Sequence, residues 1–214
     1  EAAATLWRRG EAAVLRPLRC VGGAAKPRPG SEEEVHPMKA ESVSRIDGFL
    51  ASSTLELFAS HGVAVHEVDF RHQGIEEPFA STIGFTAERI LGVLVLTVSR
   101  GLAEASLPES LRVPGVADEI VADWAGELSN QFLGRLKNRF YAAGVEIALS
   151  TPTVFAGKEL RHFAHPSPLY RSLYFEGRGS LLVEFQADYG EDFELGEEVE
   201  GRDEGPPEGE ALFF

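Results

Sequence analysis

The sequence predicts an α/β (α+β) fold in which a largely antiparallel β-sheet packs against long helices. Residues 118–143 repeat apolar side chains at the spacing of an amphipathic helix. Shorter segments on both sides of this helix are rich in β-branched and aromatic residues and are separated by turn signals. The predicted order is therefore a helix, three strands, a short helix, the long helix and three more strands.

The first half of the chain contains one helical segment and three strand-like segments. Residues 42–60 place apolar residues at helical spacing, and His61-Gly62 is the predicted helix end. Residues 63–72 alternate as a strand does. Residues 78–85 and 90–98 are β-rich and are joined by a connection of hairpin length. We expect these three strands to form an antiparallel meander.

The second half continues with helices and a hairpin. Ser99 is the predicted N-cap of a short helix that runs to about Glu109. Residues 145–149 form a short predicted strand, followed by a loop or edge segment with Pro and Gly. Residues 169–189 contain two β-rich runs around Gly177-Arg178-Gly179, which indicates a hairpin.

The long helix has two distinct arcs when it is drawn at about 100° per residue. The apolar arc consists of Val121, Trp124, Ala125, Leu128, Phe132, Leu136 and Phe140. The opposite arc consists of Asp123, Gly126, Glu127, Asn130, Gly134 and Lys137. Each glycine costs about 1 kcal/mol relative to alanine inside a helix. Either the glycines allow another protein to approach Glu127 and Asn130 closely, or they serve helix packing and the polar residues face water.

The charge of the chain is concentrated at its C-terminal end. The formal net charge is −14, and residues 191–214 hold ten acidic residues and one basic residue. Without a basic stripe, nucleic-acid binding is not expected. Composition predicts a disordered extension over residues 1–41, a folded domain over residues 42–190 and a disordered acidic tail over residues 191–214.

Cysteine and methionine usage bears on the compartment and the start of the protein. The single cysteine, Cys20, permits no internal disulfide, which is typical of a cytoplasmic protein. The chain contains no apolar run of the ~18 residues that a membrane span requires. Met38 is the only methionine, and we interpret it as the native start.

Other kinds of site find little support in the sequence. His66 and His72 would lie about 20 Å apart along a strand at its ~3.3 Å rise per residue, and no HExxH pattern accompanies the histidines. His162 and His165 precede a proline in a predicted loop. There is no G-x-S-x-G nucleophile motif, and the glycines around Arg178 lack a dinucleotide fingerprint. Glu127 and Asn130 remain the candidates by elimination.

The segment Ala125–Lys137 resembles the signature helix of CheX-type chemotaxis phosphatases, which carries the pattern G-E-x-x-N-x-x-x-G-x-x-K. The segment Ile147–Gly157 is similar to the P-x-x-x-x-G continuation of that family. The resemblance covers about residues 42–190. A single E-x-x-N helix is present, since no asparagine lies three residues after Glu56, and this favours the CheX branch over the two-site CheC branch.

The resemblance implies hydrolysis of the aspartyl phosphate on a CheY-like response regulator. Asn130 would orient the attacking water, and Glu127 would pair with a lysine of the regulator. Gly126 and Gly134 would give clearance to the partner, whose docking surface would also include Asp123 and Lys137. Mg²⁺ would be held by the regulator, so the chain itself would need no cofactor or metal. The family also implies a homodimer that forms through the sheets.

Two other functions are compatible with these patterns. The first is a non-catalytic, dimeric CheX-like module that binds a receiver domain or a flagellar-switch partner. The second is a structural dimer whose acidic tail recruits a partner, for instance through Leu212-Phe213-Phe214.

Overall fold

Three α-helices and seven strands make up the part of the chain described by the computed structural model, namely residues 38–69, 75–157, 160, 167–191 and 193–196. The helices are α1 (Ala40–Ser60), α2 (Arg100–Ser106) and α3 (Asp118–Ala142), with a 3-10 turn (Glu109–Leu111) before α3. The strands are β1 (His66–Val68), β2 (Pro78–Thr86), β3 (Ile90–Ser99), β4 (Ala148–Leu149), β5 (Thr153–Ala156), β6 (Leu169–Glu176) and β7 (Ser180–Tyr189). All pairs of these strands are antiparallel, which confirms the predicted fold class.

The strand order in the sheet is β1-β6-β7-β3-β2-β4, and β5 also pairs with β2. The predicted meander is therefore wrong in its first strand. β2 and β3 form the expected hairpin, but β1 pairs with β6, and His66 lies opposite Glu176. The free side of β2 is occupied by β4 and β5, so β1 takes the opposite edge of the sheet beside β6.

The three helices pack on one face of the sheet and enclose a single hydrophobic core. Alternate residues of the four long strands β2, β3, β6 and β7 point into this core, as the two-residue period of a strand requires. Aromatic rings form its centre: Phe185 stacks on Phe85 with ring centroids 4.9 Å apart, and Phe140 lies edge-on to Phe49 at 5.7 Å. A buried ring of this size contributes about 1.5–3 kcal/mol to folding.

The short helix α2 begins as predicted and ends earlier than predicted. Ser99 Oγ accepts a hydrogen bond from the backbone N–H of Leu102, which confirms it as the N-cap. The helix ends at Ser106 because Pro108 disfavours helical backbone at the preceding residue, and Leu107 is extended (φ −54°, ψ 146°). Residues up to Leu111 then form the 3-10 turn.

Helices α1 and α3 end at glycines with positive φ. Gly62 has φ +72° and Gly144 has φ +81°, conformations that glycine adopts without a Cβ clash. Both helix ends agree with the sequence prediction.

The folded region extends beyond the predicted tail boundary at residue 191. Phe193 and Leu195 are buried against the core, and the Arg45 guanidinium donates to the carbonyl oxygen of Leu195 at 3.0 Å. The backbone N–H of Gly196 donates to the carbonyl oxygen of Ala143, also at 3.0 Å. Burial of these two apolar residues and the two hydrogen bonds together hold residues 193–196 against the domain. The predictions for residues 1–37 and 197–214 lie outside the described residues.

No helix in the described part of the chain is both long enough and apolar enough to cross a membrane.

Candidate functional site

Helix α3 is held firmly against the rest of the domain. Its predicted apolar arc is buried in full, from Val121 to Phe140. Near its N-terminal end, Trp124 Nε1 donates to Ser106 Oγ of α2 at 3.0 Å. Near its C-terminal end, the Arg139 guanidinium donates to Ser53 Oγ at 3.1 Å and to Glu56 Oε1 at 2.6 Å, both on α1. The outward side chains of α3 are thus presented on a fixed backbone.

The outer face of α3 carries a line of polar residues. Asp123, Glu127 and Asn130 are exposed, and Lys137 further along is half-buried. Spacings of three and four residues place neighbouring members on one side of the helix, about 5–6 Å apart at Cβ. The helix therefore brings Glu127 and Asn130 together at the surface, as the sequence predicts.

The Glu127 carboxylate is held in place by a side chain that the sequence analysis did not identify. Gln131 Nε2 donates to Glu127 Oε1 at 2.8 Å. Gln131 Oε1 in turn lies 2.9 Å from His61 Nε2, just after α1. The four-residue spacing of Glu127 and Gln131 is a recognisable helical pair. His61 gave no such signal, because it is 70 residues away in sequence.

The Asn130 carboxamide makes no hydrogen bond to any other residue in the described ranges. Its oxygen can accept a hydrogen bond and its NH₂ group can donate two. An exposed amide of this kind is available to bind a water molecule.

Gly126 does not belong to the exposed face, and its predicted clearance role toward a partner is wrong. It is buried, and a Cβ at this position would lie 3.2 Å from Val154 Cγ2 of β5. The glycine makes room for a strand of the same chain. The two segments that resemble the family thus contact each other here. Gly134 is half-buried, and its role toward a partner stays a prediction.

The segment that leads into β5 is fixed to the sheet by Ser150. Its Oγ accepts from the backbone N–H of Gly84 at 2.9 Å, and its own N–H donates to the Gly84 carbonyl oxygen at 2.9 Å. This two-point contact sets where the chain turns toward β5 and therefore where Val154 meets α3.

The charge around the site is acidic. Asp118, Glu119, Asp123 and Glu127 follow one another along the first half of α3. Asp118 is engaged by Arg100, whereas Asp123 and Glu127 are exposed. Like charges four residues apart repel each other slightly, so a cation placed between them would be favoured. In the described residues, no three His, Cys, Asp or Glu side chains are arranged to hold a metal ion. His72, His162 and His165 lie outside those residues.

Comparison with known proteins shows similarity to chemotaxis proteins in a segment of the sequence and in the fold. The family model "Chemotaxis phosphatase CheX" matches residues 79–169, which contain both motif segments. The structure of CheX from Vibrio vulnificus has a TM-score of 0.55 at 23% identity, over 72% of this chain and 100% of that chain. CheX from Desulfovibrio desulfuricans has a TM-score of 0.56 at 18% sequence identity, over 67% of this chain and 99% of that chain. A CheC-like protein from Shewanella oneidensis has a TM-score of 0.54 at 21% sequence identity, over 71% of this chain and 100% of that chain.

The fold is therefore that of the CheC and CheX chemotaxis proteins. The segment that matches the CheX family model contains both motifs, which confirms the resemblance seen in the sequence. No curated protein matches the chain in sequence.

The contact between Gly126 and Val154 yields a stability prediction. Gly126→Val should lower the free energy of unfolding by about 1–3 kcal/mol, because the added methyl groups overpack against β5. Urea unfolding followed by circular dichroism measures this change. In a Val154→Ala background the loss should be clearly smaller. An equal loss in both backgrounds would mean that Val154 is not the residue that requires glycine.

Proposed function

We propose that this chain hydrolyses the aspartyl phosphate of a CheY-like response regulator in the cytoplasm. The observation that carries the proposal is the pairing of Glu127 and Asn130 as exposed neighbours on a rigidly held helix, within the segment that matches the CheX family. The two residues differ in a way that suits two roles. Glu127 is already engaged by Gln131, whereas the amide of Asn130 is available to solvent.

Asn130 orients the water that attacks the phosphorus. Its carbonyl oxygen accepts one O–H of the water, which directs a lone pair of the water oxygen at the phosphorus, opposite the aspartyl oxygen. A bond forms from the water oxygen to phosphorus while the bond from phosphorus to the aspartyl oxygen breaks. The products are inorganic phosphate and a free aspartate. The role resembles that of the water-positioning glutamine of GTPases.

An amide suits this step because positioning, and not proton abstraction, is the contribution required. Charge in phosphoryl transfer is stabilised mainly by metal ions and cationic groups. We assign the Mg²⁺ to the regulator, so this chain supplies no cofactor of its own.

Glu127 fixes the docked register by pairing with a lysine of the regulator. Its carboxylate is exposed, and Asp123 one turn earlier adds negative charge on the same side of α3. Such a surface attracts a basic partner and speeds its encounter, with a dependence on ionic strength. Lys137, three turns away, lies at the other end of the same line of residues.

Substitution of Asn130 tests the hydrolytic role. Asn130→Ala should lower the rate of regulator dephosphorylation by about 10²-fold, the cost of losing the orientation of a reacting group. Release of inorganic phosphate from a phosphorylated receiver domain of the same organism measures the rate. The matched control is Asn138→Ala, two turns further along α3, which should keep wild-type activity and the same thermal unfolding midpoint.

Unchanged activity of Asn130→Ala would contradict the mechanism. If the wild-type protein binds the receiver without accelerating phosphate loss, the chain is a docking module instead of an enzyme.

Charge reversal tests the docking role of Glu127. Glu127→Lys should raise KM for the phosphorylated receiver by about tenfold or more, because like charges then face each other across the interface. A lysine-to-glutamate change at the active-site lysine of the receiver should strengthen its binding to Glu127→Lys. The same change should weaken its binding to the wild type. Calorimetric Kd values for the four combinations measure this exchange. Independent effects of the two changes would show that the residues do not pair.

We also propose that the chain forms a homodimer through the sheet face opposite the helices. The alternation of strand residues places Leu91, Phe155 and Tyr170 on this face, with 58%, 51% and 42% of each residue exposed. The Tyr170 hydroxyl donates to Glu184 Oε1 at 2.5 Å. Burial and this hydrogen bond raise the pKa of Tyr170, which keeps the phenol neutral. An exposed apolar face of this kind is typical of protein contact surfaces.

The dimer predicts a specific response to a charge on that face. Leu91→Glu should shift the sedimentation-equilibrium mass from dimer to monomer. The dimer contact would otherwise bury two carboxylates, one from each protomer, in apolar surroundings. Leu111→Glu, on the 3-10 turn, is the matched control and should leave the mass unchanged. The proposed dimer would be refuted if the wild-type protein were monomeric at about 0.1 mM, a concentration at which even a weak dimer forms.

A further inference from the structure

Glu127 stands at the end of a line of contacts that begins in the core. The Trp124 ring is buried and is fixed by its hydrogen bond to Ser106. The His61 ring lies edge-on to Trp124, with centroids 5.0 Å apart and an interplanar angle of 80°. His61 Nε2 contacts Gln131 Oε1 at 2.9 Å, and Gln131 Nε2 contacts Glu127 Oε1 at 2.8 Å.

Chemistry fixes the direction of each hydrogen bond in this line. An ionised carboxylate can only accept, so the NH₂ group of Gln131 must face Glu127. The carbonyl oxygen of Gln131 then faces His61 and can only accept in turn. His61 Nε2 must therefore carry a proton. A flipped Gln131 amide would place two oxygens face to face at Glu127 and would lose that hydrogen bond.

The two middle residues of the line, His61 and Gln131, belong to different elements. His61 follows the last residue of α1, where its backbone N–H donates to the carbonyl oxygen of Phe58. Gln131 is in α3, and its backbone carbonyl oxygen accepts from Arg135, which also donates to Ser60 Oγ. Two side-chain contacts thus connect the end of α1 to α3 beside the candidate site: His61 with Gln131, and Ser60 with Arg135.

We propose that Gln131 and His61 are positioning residues, which hold the Glu127 carboxylate in the rotamer that docks the regulator. This inference rests on the docking role proposed for Glu127. A free glutamate on a helix surface populates several rotamers and must lose that freedom when it pairs, at a cost in side-chain entropy. Gln131 restricts the rotamer before docking, so binding loses less freedom. Asn130 is not part of this line of contacts, so the restraint on Glu127 leaves its amide available to the attacking water.

Two variants remove the restraint with little change in shape. Gln131→Leu keeps the volume near Glu127 and deletes both amide contacts. His61→Phe keeps a ring against Trp124 and deletes the Nε2–H donor. Ser60→Ala is the matched control, because it removes a contact of Arg135 at the same corner without touching the Gln131 amide.

We expect Gln131→Leu to raise KM for the phosphorylated receiver by about three- to tenfold, the cost of immobilising one flexible side chain on binding. The kcat value should change less than twofold, because Asn130 is untouched. His61→Phe should raise KM in the same direction by a smaller factor, and Ser60→Ala should leave it unchanged. In a Glu127→Ala background, Gln131→Leu should have no further effect. Additive effects in that background would overturn the inference, since Gln131 would then not act through Glu127.

A second measurement separates this inference from the proposed function. Three-bond couplings of the Glu127 side chain, measured by NMR on the full chain without the regulator, should report one dominant χ1 rotamer in the wild type and averaging in Gln131→Leu. Ring ¹⁵N shifts should show His61 protonated at Nε2. If the wild type neither binds nor dephosphorylates a receiver, the proposed function fails while these signals still test the restraint. Equal rotamer populations in wild type and Gln131→Leu would overturn the positioning role.

Discussion

The close approach of β5 to helix α3 at Gly126 is the contact on which the geometry of the site depends. The gap between Gly126 and Val154 leaves no room for a Cβ without movement, so glycine fixes how near the strand lies to the helix. One turn of α3 then has its inner side against β5 and its outer side exposed at Glu127. Ser150 holds the preceding segment on β2, so the strand cannot easily relax away from the helix. Packing inside the chain, and not the approach of a partner, accounts for one of the two glycines in the motif.

The long helix, the β2–β3 hairpin and the β6–β7 hairpin were predictable because their signals are local. Helical spacing, a short turn and Gly177-Arg178-Gly179 act over a few residues and need no knowledge of the rest of the chain. The place of β1 was not predictable in this way. It depends on which sheet edge is left free after β4 and β5 have paired with β2, and those strands come more than 75 residues later.

The residues of the candidate site also differ in whether local sequence signals could predict their positions. Glu127 and Asn130 followed from spacing and from the family resemblance, and the helix brings them together as expected. Gly126 was assigned to the wrong surface, because an angular position on a helical wheel does not show what packs against it. Its burial by a strand from a later part of the chain can be read only from the fold. The contact of His61 with Gln131 has the same origin, since the two residues meet only when α1 and α3 pack.

The anchoring of Phe193 and Leu195 has a consequence for the electric field at the site. Gly196 is bound to Ala143 at the C-terminal end of α3, 16 residues after Glu127, which is about 24 Å at 1.5 Å per residue. The Debye length in physiological salt is about 8 Å, so charge fixed at that end of the helix is largely screened before it reaches Glu127. The net charge of −14 is a property of the whole sequence, whereas the potential at Glu127 depends on the charges that lie near it. Among the described residues, the carboxylates of α3 itself, Asp123 and Glu127 above all, contribute most to the local potential at the site.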